Sequence, residues 1–100
     1  MIYLKEEKEF EELTKEGLVL VDFYADWCGP CRMLSPVIEQ IAAEHPEITV
    51  GKVNVDEEQA LAMRFGITSI PFVALIRNGE VVGKSLGYRA KDELVLLLGL

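Results

Sequence analysis

The segment Leu18-Val19-Leu20-Val21-Asp22-Phe23-Tyr24-Ala25 constrains this chain more than any other. It is almost unbroken in apolar and aromatic residues, and Asp22 is its single charge. A strand wetted on one face alternates polar and apolar positions, whereas a continuous run marks a central strand buried on both faces. Such a strand needs a helical layer on each side. The flanking sequence provides candidates. In the acidic stretch from Lys5 to Glu16, Phe10 and Leu13 are spaced as a helical stripe, and Gly17 closes that helix. After Cys31, residues Leu34, Val37, Ile38, Ile41 and Ala42 recur at helical spacing until His45-Pro46 stops them. Pro36 falls inside this second helix and is expected to kink it.

Ile48 to Val55 reads as the next strand. Asp56 then stands as an expected N-cap, with Gln59 completing a capping box for a short helix through Ala60, Leu61 and Phe65 that ends at Gly66. Phe72 to Arg77 and Glu80 to Ser85 flank Asn78-Gly79, a strong hairpin signal. Leu94, Leu97 and Leu98 mark a last helix. The order is β-α-β-α-β-α-β-β-α. It implies an α/β fold with a central mixed five-stranded sheet, parallel where helices cross over, antiparallel across the hairpin, and flanked by helices on both faces. No repeat, linker or low-complexity stretch interrupts it, so residues 1–100 are expected to form a single domain.

Half of the residues are hydrophobic, enough for a packed core without structural metals. The formal charge of −7 argues against nonspecific nucleic-acid binding and against anionic membrane surfaces, both of which call for a basic face. The start, Met1-Ile2-Tyr3-Leu4-Lys5-Glu6-Glu7, lacks a basic region followed by a long apolar stretch, so no signal peptide is expected. The longest apolar runs, Leu18 to Val21 and Leu94 to Leu98, are too short to span a bilayer. A soluble cytoplasmic protein is the expectation, although an exported protein whose signal had been removed would read the same.

Chemistry concentrates in Trp27-Cys28-Gly29-Pro30-Cys31. Two cysteines three apart read as a redox dithiol, as half of a metal site, or as coincidence. Structural zinc wants four ligands, and the chain offers only two Cys and one His. His45 lies at the far end of the helix from Cys31, so a complete site within one chain is disfavoured. A metal or iron–sulfur cluster shared between two chains stays open. The strand–CxxC–helix setting favours redox chemistry. Positions i and i+3 share one helix face, close enough for a disulfide to close. Cys28 opens the helix, where unpaired N–H groups and the helix dipole stabilise a thiolate, the attacking species. Pro30 is tolerated in the first turn, where its missing donor is not needed. Cys31, one turn deeper, is expected to be less exposed. The sequence thus suggests that Cys28 attacks a partner disulfide and Cys31 resolves the mixed disulfide, closing a Cys28–Cys31 ring.

The stretch Val21-Asp22-Phe23-Tyr24-Ala25-Asp26-Trp27-Cys28-Gly29-Pro30-Cys31-Arg32-Met33 closely resembles the active-site segment of the thioredoxin family. Ser35-Pro36, Val53-Asn54-Val55-Asp56, Ile70-Pro71, Asn78-Gly79-Glu80 and Gly87 resemble the later landmarks of that family, in order along essentially the whole chain. The resemblance implies the thioredoxin fold and protein-disulfide reduction by dithiol–disulfide exchange. It also implies electrons drawn from NADPH through thioredoxin reductase, disulfide-containing protein substrates, and a monomer. No glycine-rich dinucleotide motif is present, so no bound cofactor is expected beyond the redox-active disulfide.

Asp22 interrupts an otherwise apolar strand, and a lone buried carboxylate costs several kcal/mol unless paired or protonated. A raised pKa would let it exchange a proton with Cys31, and the resemblance implies that role. Lys52 reads either as a solvated lysine or, by resemblance, as a neighbour that tunes Asp22. The resemblance further implies a cis Ile70–Pro71 peptide beside the cysteines and a docking surface of Trp27, Gly29, Pro30, Ile70, Pro71 and Gly87, with Ile70 backbone groups offered to an extended substrate segment. Three residues depart from the family pattern. Tyr24 stands where many thioredoxins carry tryptophan, Phe72 where threonine is usual, and Tyr88 where a small residue is typical. Phe72 and Tyr88 fall near the expected docking loops, so they bear on partner preference. The gap residues Gly29-Pro30 resemble those of reducing members rather than oxidising relatives. The rival reading from another class is a noncatalytic binding module that keeps only the docking surfaces.

Overall fold

The computed structural model describes residues Met1–Leu100. The elements run β1 (Ile2–Tyr3), α1 (Glu6–Thr14), β2 (Leu18–Tyr24), α2 (Gly29–Glu44), β3 (Ile48–Asn54), α3 (Gln59–Arg64), β4 (Phe72–Arg77), β5 (Glu80–Leu86) and α4 (Lys91–Leu98). The sheet order is β1-β3-β2-β4-β5. β1 and β2 both run parallel to β3, β4 is antiparallel to β2, and β5 is antiparallel to β4. β2 is therefore the middle strand, as its apolar run requires.

The two-residue period of β2 divides the molecule into two cores. Leu20 packs with Leu34, Ile38 and Ile41 of α2 and with Leu94 and Leu98 of α4. Val19, Val21 and Phe23 join Phe10 of α1 and Leu61 of α3 on the opposite face. Asp22 follows Leu20 by two positions and so belongs to the α2 layer. The hairpin turn holds Asn78 at φ 49 and Gly79 at φ 85, the paired left-handed conformations that a tight two-residue hairpin demands. Asn78 also locks the turn to the α1–β2 junction. The Gly17 N–H donates to Asn78 Oδ1 at 2.8 Å, and the Asn78 N–H donates to the Gly17 carbonyl at 2.9 Å. On β5, Gly83 lets α4 close down on the sheet, since a Cβ there would stand 2.7 Å from the Leu98 carbonyl oxygen.

α2 runs as one helix with Pro36 inside it, as expected, and Pro36 is exposed. The capping box at Asp56 does not form: α3 begins at Gln59 behind Glu58, with no side-chain cap. The cause lies one strand end earlier. Asn54 Oδ1 accepts the N–H groups of Asp56 and Glu57, at 2.9 and 3.3 Å, and holds the chain in a turn. Gln59 reaches only the main-chain oxygen of Asp56, at 3.4 Å.

Candidate active site

The buried strand β2 delivers the chain to a short turn, and Cys28 is the N-cap of α2. Gly29, Pro30 and Cys31 form the first helical turn. Cys28 and Cys31 are joined as a disulfide with their Cα atoms 5.3 Å apart, within the range such a bridge needs. The Cys31 N–H donates to Cys28 Sγ at 3.2 Å. A sulfur at this place receives an otherwise unpaired helix N–H, the environment that favours thiolate in the reduced protein. Both cysteines are buried, at 4% and 3% exposure, so the expected difference in depth is absent. The turn tucks the pair together under Tyr24, Ala25, Val55 and Ile70.

Asp22 lies on β2 fully enclosed. The parallel register sets it beside Lys52 of β3, and Lys52 Nζ stands 3.3 Å from Asp22 Oδ2. That is ion-pair distance without hydrogen-bond alignment, since neither carboxylate oxygen takes a hydrogen bond. Burial pushes the Asp22 pKa above the usual carboxylate value, and the Lys52 charge offsets only part of the rise. The Lys52 ammonium also donates to Ser35 Oγ at 3.3 Å and sits 4.7 Å from the centre of the Tyr24 ring. A cavity of about 160 Å³ touches Cys31, Ser35 and Lys52 and opens past Tyr24, Asp26 and Arg32. Its volume admits water, and the lining is polar enough to hold it.

Around the cysteines, Trp27 is 70% exposed, while its Nε1–H donates to Asp56 Oδ2 at 2.8 Å. The Arg32 guanidinium braces the turn by donating to the Asp26 carbonyl at 2.8 Å. Ile70 is half-buried against the cysteine pair, and the Ile70–Pro71 peptide is cis. Gly87, at φ 84, donates its N–H to the Pro71 carbonyl at 2.8 Å, which couples the two loops. Of the three departures, Phe72 turns inward, its ring centre 6.0 Å from that of Phe23. Tyr88 stays exposed beside Gly87. His45 closes the far end of α2 and sits 3.3 Å from Glu47.

The structure thus links Cys28, Cys31 and Ile70 directly, joins Asp22 to Lys52, and reaches Gly87 through Pro71. Sequence reasoning named Ser35 as a family landmark without a role, and it did not show the tryptophan contact of Asp56 or the Tyr24–Lys52 contact. Ser35 carried a signal, since it follows Cys31 by four residues and shares its helix face. The Trp27–Asp56 and Tyr24–Lys52 contacts carried none, because they cross between elements.

Comparison with known proteins agrees with this geometry. The thioredoxin family model matches residues 1–99. Thioredoxin of Chlamydia muridarum is 44% identical over 98 residues, covering 98% of this chain and 96% of the relative. Thioredoxin of Listeria monocytogenes is 50% identical over 86 residues, covering 85% and 84%. Mitochondrial thioredoxin 3 from Saccharomyces cerevisiae, in its oxidised form, superposes with a TM-score of 0.90 at 30% identity, covering 100% of this chain and 95% of that one. A Plasmodium falciparum thioredoxin gives a TM-score of 0.90 at 31% identity, over 99% and 97%. With this fold, this disulfide at the β2–α2 junction and these relatives, the chain belongs to the thioredoxin family of protein-disulfide oxidoreductases.

Proposed function

We propose that residues 1–100 act as one domain that reduces protein disulfides, with its residues in the following roles. In the reduced protein, the Cys28 thiolate attacks one sulfur of a partner disulfide, and the other partner sulfur leaves as thiolate. Cys31 gives its proton, by way of water in the adjoining cavity, to the Asp22 carboxylate. The Cys31 thiolate then attacks Cys28 Sγ, releasing the second partner thiolate and leaving the Cys28–Cys31 disulfide. The partner gains two electrons and the dithiol loses two. Lys52 tunes the proton affinity of Asp22. Trp27, Gly29, Pro30, Ile70, Pro71 and Gly87 form the docking surface, where an extended partner segment pairs with Ile70 main-chain groups.

The observation that carries this reading is the Cys28 sulfur at the N-cap of α2, accepting the Cys31 N–H. The family implies a reductase that returns the disulfide to dithiol. Thioredoxin reductase with NADPH is the proposed donor, and the cytoplasm the proposed setting. None of the helices is long and apolar enough to cross a membrane.

Reduction of insulin by dithiothreitol tests the assignment. The chain should accelerate it, Cys28→Ser should abolish the acceleration, and Cys31→Ser should accumulate a covalent mixed disulfide visible by intact-mass spectrometry. Undiminished turnover by Cys28→Ser would overturn the assignment of the nucleophile, and no acceleration by the parent chain would favour a binding module.

A further inference from the structure

Lys52 has more to hold than Asp22. Its ammonium is buried and has three protons to place. One oxygen partner is Asp22 Oδ2 at 3.3 Å, the other is Ser35 Oγ at 3.3 Å, and the Tyr24 ring face lies 4.7 Å away. Asp22 in turn has no hydrogen bond from any group, so its only charged neighbour is this shared ammonium. Ser35 sits on α2 one turn beyond Cys31, and both line the cavity that Lys52 closes. From these contacts we infer that Ser35 is a positioning residue for the proton transfer: its hydroxyl draws the Lys52 ammonium toward α2, away from full contact with Asp22, and so keeps Asp22 a strong enough base to receive the Cys31 proton.

The groups paired with Asp22 and those lining the cavity beside Lys52 make the route specific. β3 contributes Lys52, and β4 contributes the apolar Val73 at the paired position. α2 contributes Cys31 and Ser35 at the cavity, with Arg32 beside them, while Asp26 stands on the turn after β2. β1 places Tyr3 in register with Lys52, and Tyr24 follows on β2. Replacing Ser35 leaves every one of these charges in place and changes only what holds the ammonium. Without the hydroxyl, Lys52 settles on Asp22. Closing the 3.3 Å contact to a charge-assisted hydrogen bond strengthens the attraction and lowers the Asp22 midpoint. The rise of the resolving step with pH then moves down with it.

The inference rests on Asp22 being the proton partner of Cys31, and two readouts keep the two ideas separate. The first is the carboxyl titration of Asp22 by carbon NMR in the oxidised protein, where the cysteines do not titrate and cannot couple to it. Ser35→Ala should lower the midpoint, Ser35→Thr should restore it, and Ser35→Ala added to Lys52→Met should leave the midpoint where Lys52→Met alone puts it. An unmoved or raised midpoint in Ser35→Ala, the same fall in Ser35→Thr, or an undiminished effect without Lys52 would each overturn the role given to Ser35. The second readout is the pH profile of the resolving step. A profile that follows the Asp22 midpoint in Ser35→Ala supports the whole chain of contacts. A profile that ignores a shifted midpoint overturns Asp22 as the proton partner, and with it the catalytic meaning of the Ser35 contact.

Discussion

Asp22 is buried more completely than a carboxylate normally tolerates, and its pairing with Lys52 is only partial. That combination has a thermodynamic signature. Burial raises its pKa in the folded protein above the unfolded value of 3.8. Between the two values the folded state binds the extra proton, so stability falls as pH rises through that window and the penalty stays in full above it. Below the unfolded value the two states bind that proton alike and the penalty vanishes. Asp22→Asn should therefore raise stability at pH 8 by about 1–2 kcal/mol. Urea denaturation should show the gain at pH 8 and none below about pH 3.5, beneath the unfolded aspartate value. A gain equally large at both pH values would show that the carboxyl charge is not the cause. The same variant should slow disulfide exchange and flatten its pH dependence, measured by stopped-flow Trp27 fluorescence. Residue-level chemistry was half legible in the sequence. A charge inside an apolar run marked Asp22, and the family resemblance offered Lys52 as its neighbour, but strand alternation alone could not place the two side by side.

The helices and strands carry their own constraint where they meet. Gly83 on β5 faces the last turn of α4, and a Cβ there would lie 2.7 Å from the Leu98 carbonyl oxygen and 3.0 Å from its Cα. Backbone cannot rotate out of the way as a side chain can. Gly83→Ala should push α4 off the sheet and cost about 1–3 kcal/mol, read as a lower denaturation midpoint with the denaturant slope unchanged. Insulin reduction should persist, because α4 holds none of the proposed site residues. A variant as stable as the parent would show that α4 has room to shift. Element identities were readable because periodicity is a local property: the unbroken run of β2, the stripe of α2 and the Asn78-Gly79 turn all declared themselves. The start of α3 did not. Asp56 and Gln59 had the right spacing for a capping box, but Asn54 captured the backbone first and Trp27 engaged the carboxylate.

At the scale of the whole molecule, β2 is shared by both cores, so neither face can melt without exposing the central strand. Leu94 is fully buried on α4, within the core that includes Leu20 of β2. Leu94→Ala should cost about 2–5 kcal/mol by leaving a cavity. The loss should appear in one transition, with the fluorescence of Trp27, the sole tryptophan, and far-ultraviolet circular dichroism coincident. Separate midpoints for the two probes would show that the α4 layer melts independently of the active-site end.

The sequence by itself determined what depends on neighbours along the chain: the order of elements, a central strand buried on both sides, and a cysteine at the mouth of a helix. Periodicity, turn chemistry and helix-end electrostatics are properties of a few consecutive residues, so one chain suffices to read them. Tertiary structure alone decided what depends on register and on loops meeting in space. The pairing of β2 with β3 set Lys52 beside Asp22. The Gly87–Pro71 hydrogen bond joined two loops, and α2 brought Ser35 over the same ammonium. Sheet register is fixed by the packing of the whole core, and a shift of one residue would turn Lys52 to the opposite face.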